Sequence, residues 1–449
     1  MLSKLISLYK PSPEIDPINY DNDEQKRVYR YWRNRIMYTT VIGYSLFYFV
    51  RKNISIAMPA MEADLGISKT ELGLFLTLHG LLYGLSKFLN GFLGDNTNPR
   101  WFMGTGLIMS ALMSIFFGLS SGVVAFGVFW MLNGWFQGMG FPPCAKSIAN
   151  WFSPSERGVK FSIWNSSHSI GAALVLIMNS YLVTIDWRLC IFVPSLLAIS
   201  GAIFIFNRLR DKPESLGLPP VEVFKDEIPP SADQVNKEEL NYSELLKVMI
   251  FKRPVIWVLC LATFFLYTVR YVILDWGPTF LFEMRDIKIQ HSGWMVAGYE
   301  VFGILGMLSS GWLMDNVFKG RGGRAAMIYM LLCTVCIFFF WYLPGESTLF
   351  YTMLLMLIGF FIYGPQALVG IIVANIVSKD LAATGIGLTG LFAYLSTILS
   401  GWGIGMIVTN MGWDTAFLTL LGAGAGASLF FMLTWNTGYI AKKKKTITD

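Results

Sequence analysis

Twelve apolar runs, each long enough to cross a bilayer, occupy most of this chain and constrain its fold more than any other feature. A spanning helix needs about 20 mainly apolar residues at a rise of 1.5 Å each. Runs of that kind lie at 36–61, 70–93, 101–119, 122–149, 158–184, 188–207, 254–282, 292–314, 325–343, 348–376, 382–408 and 413–437. They are too long and unbroken for barrel strands, so helices are expected. With 54% hydrophobic and 14% charged residues, against about 25% charged in a soluble domain, the chain could not assemble a soluble surface. The expected fold is an all-α membrane protein with 12 transmembrane helices.

The start, MLSKLISLYKPSPEIDP, has no uninterrupted apolar stretch and no small-residue cleavage site, so the first long run is expected to remain as a span. Residues 208–253 are charged and Pro-rich and divide the spans six and six. The expected organisation is an N-terminal segment 1–35, a six-helix bundle 36–207, a linker 208–253, a second bundle 254–437 and a basic tail 438–449.

Orientation follows from the basic residues. Of 35 Lys and Arg, 27 fall with the two termini, the linker and the loops on their side; the opposite loops hold only Lys69, Arg188, Arg285 and Lys288. This asymmetry places both termini in the cytoplasm. It also accounts for the net charge of +6 as topology, without a nucleic-acid partner. Lys442–Lys445 reads as a topological anchor. Five cysteines, in or beside apolar runs, offer no disulfide framework.

The halves repeat each other. Arg51 and Arg270 are 219 positions apart, Asp95 and Asp315 are 220 apart, and Trp187 and Trp413 are 226 apart. GFPP at 140–143 precedes YGP at 363–365 by 223 to 224 positions. Six-helix repeats of this kind place a substrate site between the halves, near the bilayer midplane.

Four basic residues, Arg51, Lys52, Lys87 and Arg270, lie within or at the edges of spans. An arginine at the bilayer centre costs at least about 2.5–3.5 kcal/mol on insertion scales. Snorkelling to an interface suits Lys52 and Lys87, nearer the span ends; it suits Arg51 and Arg270 poorly. Two guanidiniums keep their protons and offer forks of donors, which match a phosphate dianion ahead of a carboxylate. Tyr44, Tyr48 and Tyr267 can share a helix face with one arginine or the other, and Tyr363 and Tyr394 lie in the tenth and eleventh spans. His168, midway along the fifth span, is either an interhelical hydrogen-bond partner or a ligand of the anion. His79 and His291 lie near the outer face and receive no role. Asp275 and Glu300 read as neutralising partners for Lys52, Lys87 or an empty arginine site, or as a proton relay. No metal-site spacing, nucleotide motif or nucleophile elbow occurs, so neither an enzyme nor a cofactor is expected.

GYSLFYFVRKNISIAMPAM, YGLSKFLNGFLGDNTNPR, GWFQGMGFPPCAK, WNSSHSIG, YTVRYVILDWGPTFL and FIYGPQALVG resemble the organophosphate:phosphate antiporters of the major facilitator superfamily, over about residues 30 to 437. The resemblance implies two pseudo-symmetric six-helix bundles in a bacterial inner membrane, acting as a monomer. It also implies exchange of a sugar phosphate, glucose 6-phosphate first, for inorganic phosphate; glycerol 3-phosphate is the alternative substrate. Arg51 and Arg270 would then bind phosphate, with Lys87, His168, Tyr44, Tyr48, Tyr267, Tyr363 and Tyr394 lining the site. Lys52, Asp275 and Glu300 would form gating salt bridges. The eleventh span, FAYLSTILSGWG, lacks the Asp-x-x-Lys of the dedicated hexose-phosphate exchangers and is closer to the sensor branch. That departure leaves a second expectation open: a receptor for external hexose phosphate that signals to a partner histidine kinase.

Overall fold

The computed structural model describes residues 7–18, 20–227, 252–343, 347–377 and 382–437. Linker residues 228–251 and the tail with Lys442–Lys445 lie outside the described residues. Before the linker the helices are α1 (Asn22–Phe49), α2 (Ile54–Leu65), α3 (Lys69–Asp95), α4 (Pro99–Leu119), α5 (Val123–Gln137), α6 (Phe141–Trp151), α7 (Pro154–Asn165), α8 (Ser167–Leu182) and α9 (Leu189–Arg208). After it come α10 (Pro254–Arg285), α11 (Ile289–Asn316), α12 (Gly322–Tyr342), α13 (Thr348–Ile376), α14 (Ala382–Leu395), a π-helical turn (Ile398–Gly403) and α15 (Ile404–Leu433).

Among the described residues, nine helical stretches are long and apolar enough to span a membrane, and one of them, Thr384–Leu433, holds the eleventh and twelfth spans together. Gly412, at φ +83°, marks the bend between those two. The first and fourth spans complete the twelve as broken pairs, α1–α2 and α5–α6. The fourth span was expected to be continuous. It breaks at 138–140 because GFPP puts two prolines at the start of α6, where they cannot donate to the preceding turn. Local signals set other boundaries. Gly66 ends α2 in the left-handed region at φ +66°. Ser68 and Glu71 form a reciprocal capping box that opens α3.

The bundles meet tightly on the face away from the termini. There the Lys69 ammonium lies 3.0 Å from the Glu283 carboxylate, and the Thr70 and Thr409 hydroxyls are 3.1 Å apart. Trp294 Nε1 donates to the Tyr181 hydroxyl at 3.0 Å. At Gly73 an added Cβ would stand 2.4 Å from the Gly401 carbonyl oxygen, so only glycine permits the α3 backbone this close to the π-turn. Along α3 the cross-bundle contacts include Lys87, whose ammonium lies 5.8 Å from the centre of the Tyr394 ring.

Candidate anion-binding site between the bundles

Arg51 does not sit within a helix. Residues 50–53 form a break between α1 and α2, and three side-chain amides take up the carbonyls that the break frees. Gln137 Nε2 donates to the Phe47 oxygen (3.0 Å), Asn133 Nδ2 to the Val50 oxygen (3.1 Å) and Asn179 Nδ2 to the Asn53 oxygen (3.0 Å). All three amides are buried. In a low-dielectric interior an unpaired carbonyl is costly, so these amides are what make a broken span tolerable. The expectation of an unbroken first span with Arg51 near its middle is corrected on this point. RKN contains neither glycine nor proline, and the cause of the break lies on other helices.

Arg270 is held differently, in the middle of the unbroken α10. Its Nη2 donates to the Tyr363 hydroxyl at 2.8 Å, and that hydroxyl donates to Glu300 Oε2 at 2.5 Å. Its guanidinium carbon lies 4.7 Å from the centre of the Tyr363 ring and 5.6 Å from those of Tyr267 and Tyr271. Arg51 is likewise framed by π-faces, 3.8 Å from the centre of the Tyr83 ring and 5.1 Å from that of Tyr48. Aromatic faces steady a cation without cancelling its charge. Neither arginine makes an ion pair with a carboxylate among the described residues.

His168 stands between the two arginine cages. Its ring centre is 5.7 Å from Tyr48 on one side and 5.9 Å from Tyr363, stacked, on the other. Its Nδ1 shares a hydrogen with the Ser169 hydroxyl at 3.1 Å. Tyr44 is one layer back, packed on Tyr48 and Trp164. Tyr394 packs edge-on against Tyr83 at 4.9 Å, and the Lys87 ammonium lies 4.1 Å from the centre of the Phe141 ring and 5.8 Å from that of Tyr394.

The expected salt bridges resolve unequally. Lys52 and Asp275 pair across the bundles at 2.6 Å, with Ser55 adding a bond to the same carboxylate oxygen at 3.3 Å. Lys52 is therefore buried and paired, and the snorkelling expected of it does not occur. Glu300 makes no ion pair among the described residues; it is fully buried and Oε1 has no partner. Tyr363 is interposed between Glu300 and Arg270 and is hydrogen-bonded to both.

Sequence reading missed Tyr83, Tyr271, Phe141 and the three amides. Tyr83 was within reach, since it lies four residues before Lys87, the spacing that singled out its neighbours. His79 was placed near the outer face without a role. It is buried, bonds the Asn133 amide oxygen at 3.2 Å, and lines a cavity of about 30 Å³ with Arg51, Lys52, Tyr271 and Asp275. A space of that size holds about one water.

Four cations (Arg51, Lys52, Lys87, Arg270) face two carboxylates (Asp275, Glu300), a formal excess of two positive charges. A site so charged can hold a divalent oxyanion between the bundles.

Comparison with known proteins gives a consistent picture. A family model described as Major Facilitator Superfamily matches residues 40–401. The "Probable hexose phosphate transport protein" of Chlamydia pneumoniae is 38% identical over 95% of this chain and 96% of its own. The "Glycerol-3-phosphate transporter" of Bacillus subtilis (strain 168) is 36% identical, covering 97% and 99%. The "Membrane sensor protein UhpC" of Escherichia coli (strain K12) is 35% identical, covering 94% and 96%. Among solved structures, a bacterial homologue of the human lysosomal transporter Spinster, inward-facing and occupied, superposes with a TM-score of 0.72. It covers 90% of this chain and 97% of that one at 15% identity, a likeness of fold alone.

Proposed function

This chain belongs to the major facilitator superfamily, in its organophosphate:phosphate antiporter branch, and we propose that it exchanges a sugar phosphate for inorganic phosphate across a bacterial inner membrane. The observation that carries the proposal is the pair of arginines, Arg270 buried and Arg51 half-buried, each among tyrosine rings on its own bundle and neither paired with a carboxylate among the described residues. An empty site leaves two positive charges uncompensated. A phosphate dianion bridging Arg51 and Arg270 supplies both charges and draws the bundles together, so the halves reorient when loaded. Lys87, His168 and Tyr48 stand beside that bridge, while Tyr267, Tyr363 and Tyr394 border the space left for the organic part. Lys52 and Asp275 hold the bundles closed on the far side and release when the site opens there. With both termini in the cytoplasm, the closed face is the external one.

The test is flux into proteoliposomes. Glucose 6-phosphate uptake should accelerate when inorganic phosphate is trapped inside. Equal uptake into phosphate-free vesicles would overturn exchange.

One observation favours a second reading, a receptor that binds hexose phosphate for a partner histidine kinase. The eleventh span carries no charged residue between 382 and 408, and a relative of similar identity is named as a sensor. Sugar-phosphate binding without flux in the same vesicles would select it.

A further inference from the structure

Three arginines converge at one membrane boundary, and none of them has an ion-paired carboxylate among the described residues. Arg35 lies on α1 one residue before the first expected span, Arg100 is in the first turn of α4, and Arg210 follows the end of α9 by two residues. Arg35 and Arg210 share one acceptor, the Asn207 carbonyl oxygen, at 2.8 and 3.1 Å. Both also stand over one indole, with their guanidinium carbons 4.7 and 5.5 Å from the centre of the Trp32 ring. Burial, and then the charges of Arg100 and Arg35, hold the Arg210 guanidinium below the ordinary arginine value. The Arg100 guanidinium makes no hydrogen bond or ion pair among the described residues, and its Nε is buried without a partner. The nearest carboxylate in sequence, Asp211, is turned to the Ser12 amide at 2.8 Å.

Like charges brought together repel, and a fold tolerates the arrangement at no gain unless an anion joins it. Beneath the arginines the surface turns apolar. Tyr31, Arg35, Tyr38 and Ile42 succeed one another along one exposed face of α1, and Ile203 is exposed on the neighbouring α9. Tyr38 packs on Phe204 at 6.1 Å, closing the seam between the two helices. A charged head above an apolar seam, at the end of three spans, is the complement of a phospholipid. We propose that Arg35, Arg100 and Arg210 bind the phosphate headgroup of an anionic phospholipid, whose acyl chain lies along Tyr38, Ile42 and Ile203.

The inference uses the span boundaries and not the transported substrate, so it stands or falls apart from the exchange reading. Purified protein in detergent, titrated with phosphatidylglycerol and phosphatidylcholine and weighed by native mass spectrometry, tests it. The wild-type protein should retain one phosphatidylglycerol in preference to phosphatidylcholine, and excess inorganic phosphate should not displace it. In R100Q/R210Q the preference should fall about tenfold, while R100K/R210K should keep most of it. R27Q removes one charge, as R100Q does, from an exposed position and should match wild type. R100Q alone supplies the readout if the double variant does not yield monodisperse protein, since that guanidinium bonds nothing among the described residues. Unchanged lipid preference in the glutamine variants overturns the site. Displacement by inorganic phosphate overturns the lipid assignment and marks a soluble-anion site.

Discussion

Thr77 completes the backbone around Trp402 from the opposite bundle. Its hydroxyl accepts from the Trp402 amide at 2.8 Å and donates to the Thr397 carbonyl, five residues earlier, at 2.7 Å. Those two backbone groups are the pair that an i to i+5 turn would join directly, and the π-helical segment Ile398–Gly403 begins directly after the first and includes the second. A hydroxyl from α3 therefore stands inside the ladder of the eleventh span. When the bundles part on this face the hydroxyl must leave, and the turn has to find its own partners.

Thr77→Val keeps the shape and removes both bonds, so it should weaken closure of this face by about 1–3 kcal/mol. Thr77→Ser keeps the hydroxyl and should behave as wild type. The readout is disulfide formation in a T70C/T409C pair, built where the two hydroxyls now meet at 3.1 Å. Yield should drop with valine and hold with serine. Equal yield in both would show that the inserted hydroxyl is incidental to closure.

Arg51→Lys and Arg270→Lys test fork geometry against charge. Each keeps a cation but replaces a planar fork with a compact ammonium. If bidentate contact holds the phosphate, each loses about 1.5–3 kcal/mol, or ten- to a hundredfold in affinity. The surroundings suggest the order of severity. Arg270 is anchored by a hydrogen bond to Tyr363, which a lysine can replace only in part, whereas Arg51 is held by ring faces that also accept an ammonium. Binding of inorganic phosphate should therefore suffer more in Arg270→Lys. Arg27→Lys, exposed and distant, is the control. Retained binding in both site variants, at normal expression, would place the anion elsewhere.

The amides beneath Arg51 are expected to matter as much as residues that face the ligand. Asn133→Leu and Gln137→Leu each strand a buried carbonyl of the α1–α2 break, at about 1–3 kcal/mol. The break can relieve that cost by winding toward a continuous helix, which carries the Arg51 guanidinium off the Tyr83 face. Phosphate affinity should fall in both variants while the fold survives. Unimpaired binding would show that the position of Arg51 does not depend on these bonds.

The membrane fold was legible because it depends on gross quantities: run length, charge asymmetry between loops, and an offset of about 220 repeated along the chain. Arg51 and Arg270 were legible because a charge in an apolar run stands out. What sequence could not show is how unlike their settings are. The repeat suggests equivalent helices, yet one span is broken at 50–53 by bonds from Asn133, Gln137 and Asn179, more than 80 residues away. Glu300 offered only a carboxylate in a span, and whether it meets Arg270 or Tyr363 is decided by packing between α11 and α13. Thr77 and His79 looked like ordinary members of an apolar helix. Their roles depend on helices brought to them by the fold.

Acidity should reveal how the N-terminal segment is tied down. Asp211 accepts from the Ser12 amide, and its other oxygen is buried without a partner. Burial outweighs that bond and the nearby charges of Lys146 and Lys212, and holds the carboxyl above the ordinary carboxylate value. A carboxyl raised in the folded state binds its proton more readily there than in the unfolded chain. Its contribution to stability is therefore lost as pH climbs from the ordinary carboxylate range through the raised value. At neutral pH the buried charge is a burden. Asp211→Asn keeps an oxygen for the Ser12 amide and discards the charge, so thermal stability in detergent should equal or exceed wild type at pH 7. The two should draw together as the medium is acidified through the raised value, where the wild-type carboxyl takes up its proton. A variant less stable than wild type at pH 7 would mean that the ionised carboxylate, through its bond to Ser12, is worth more than its burial costs.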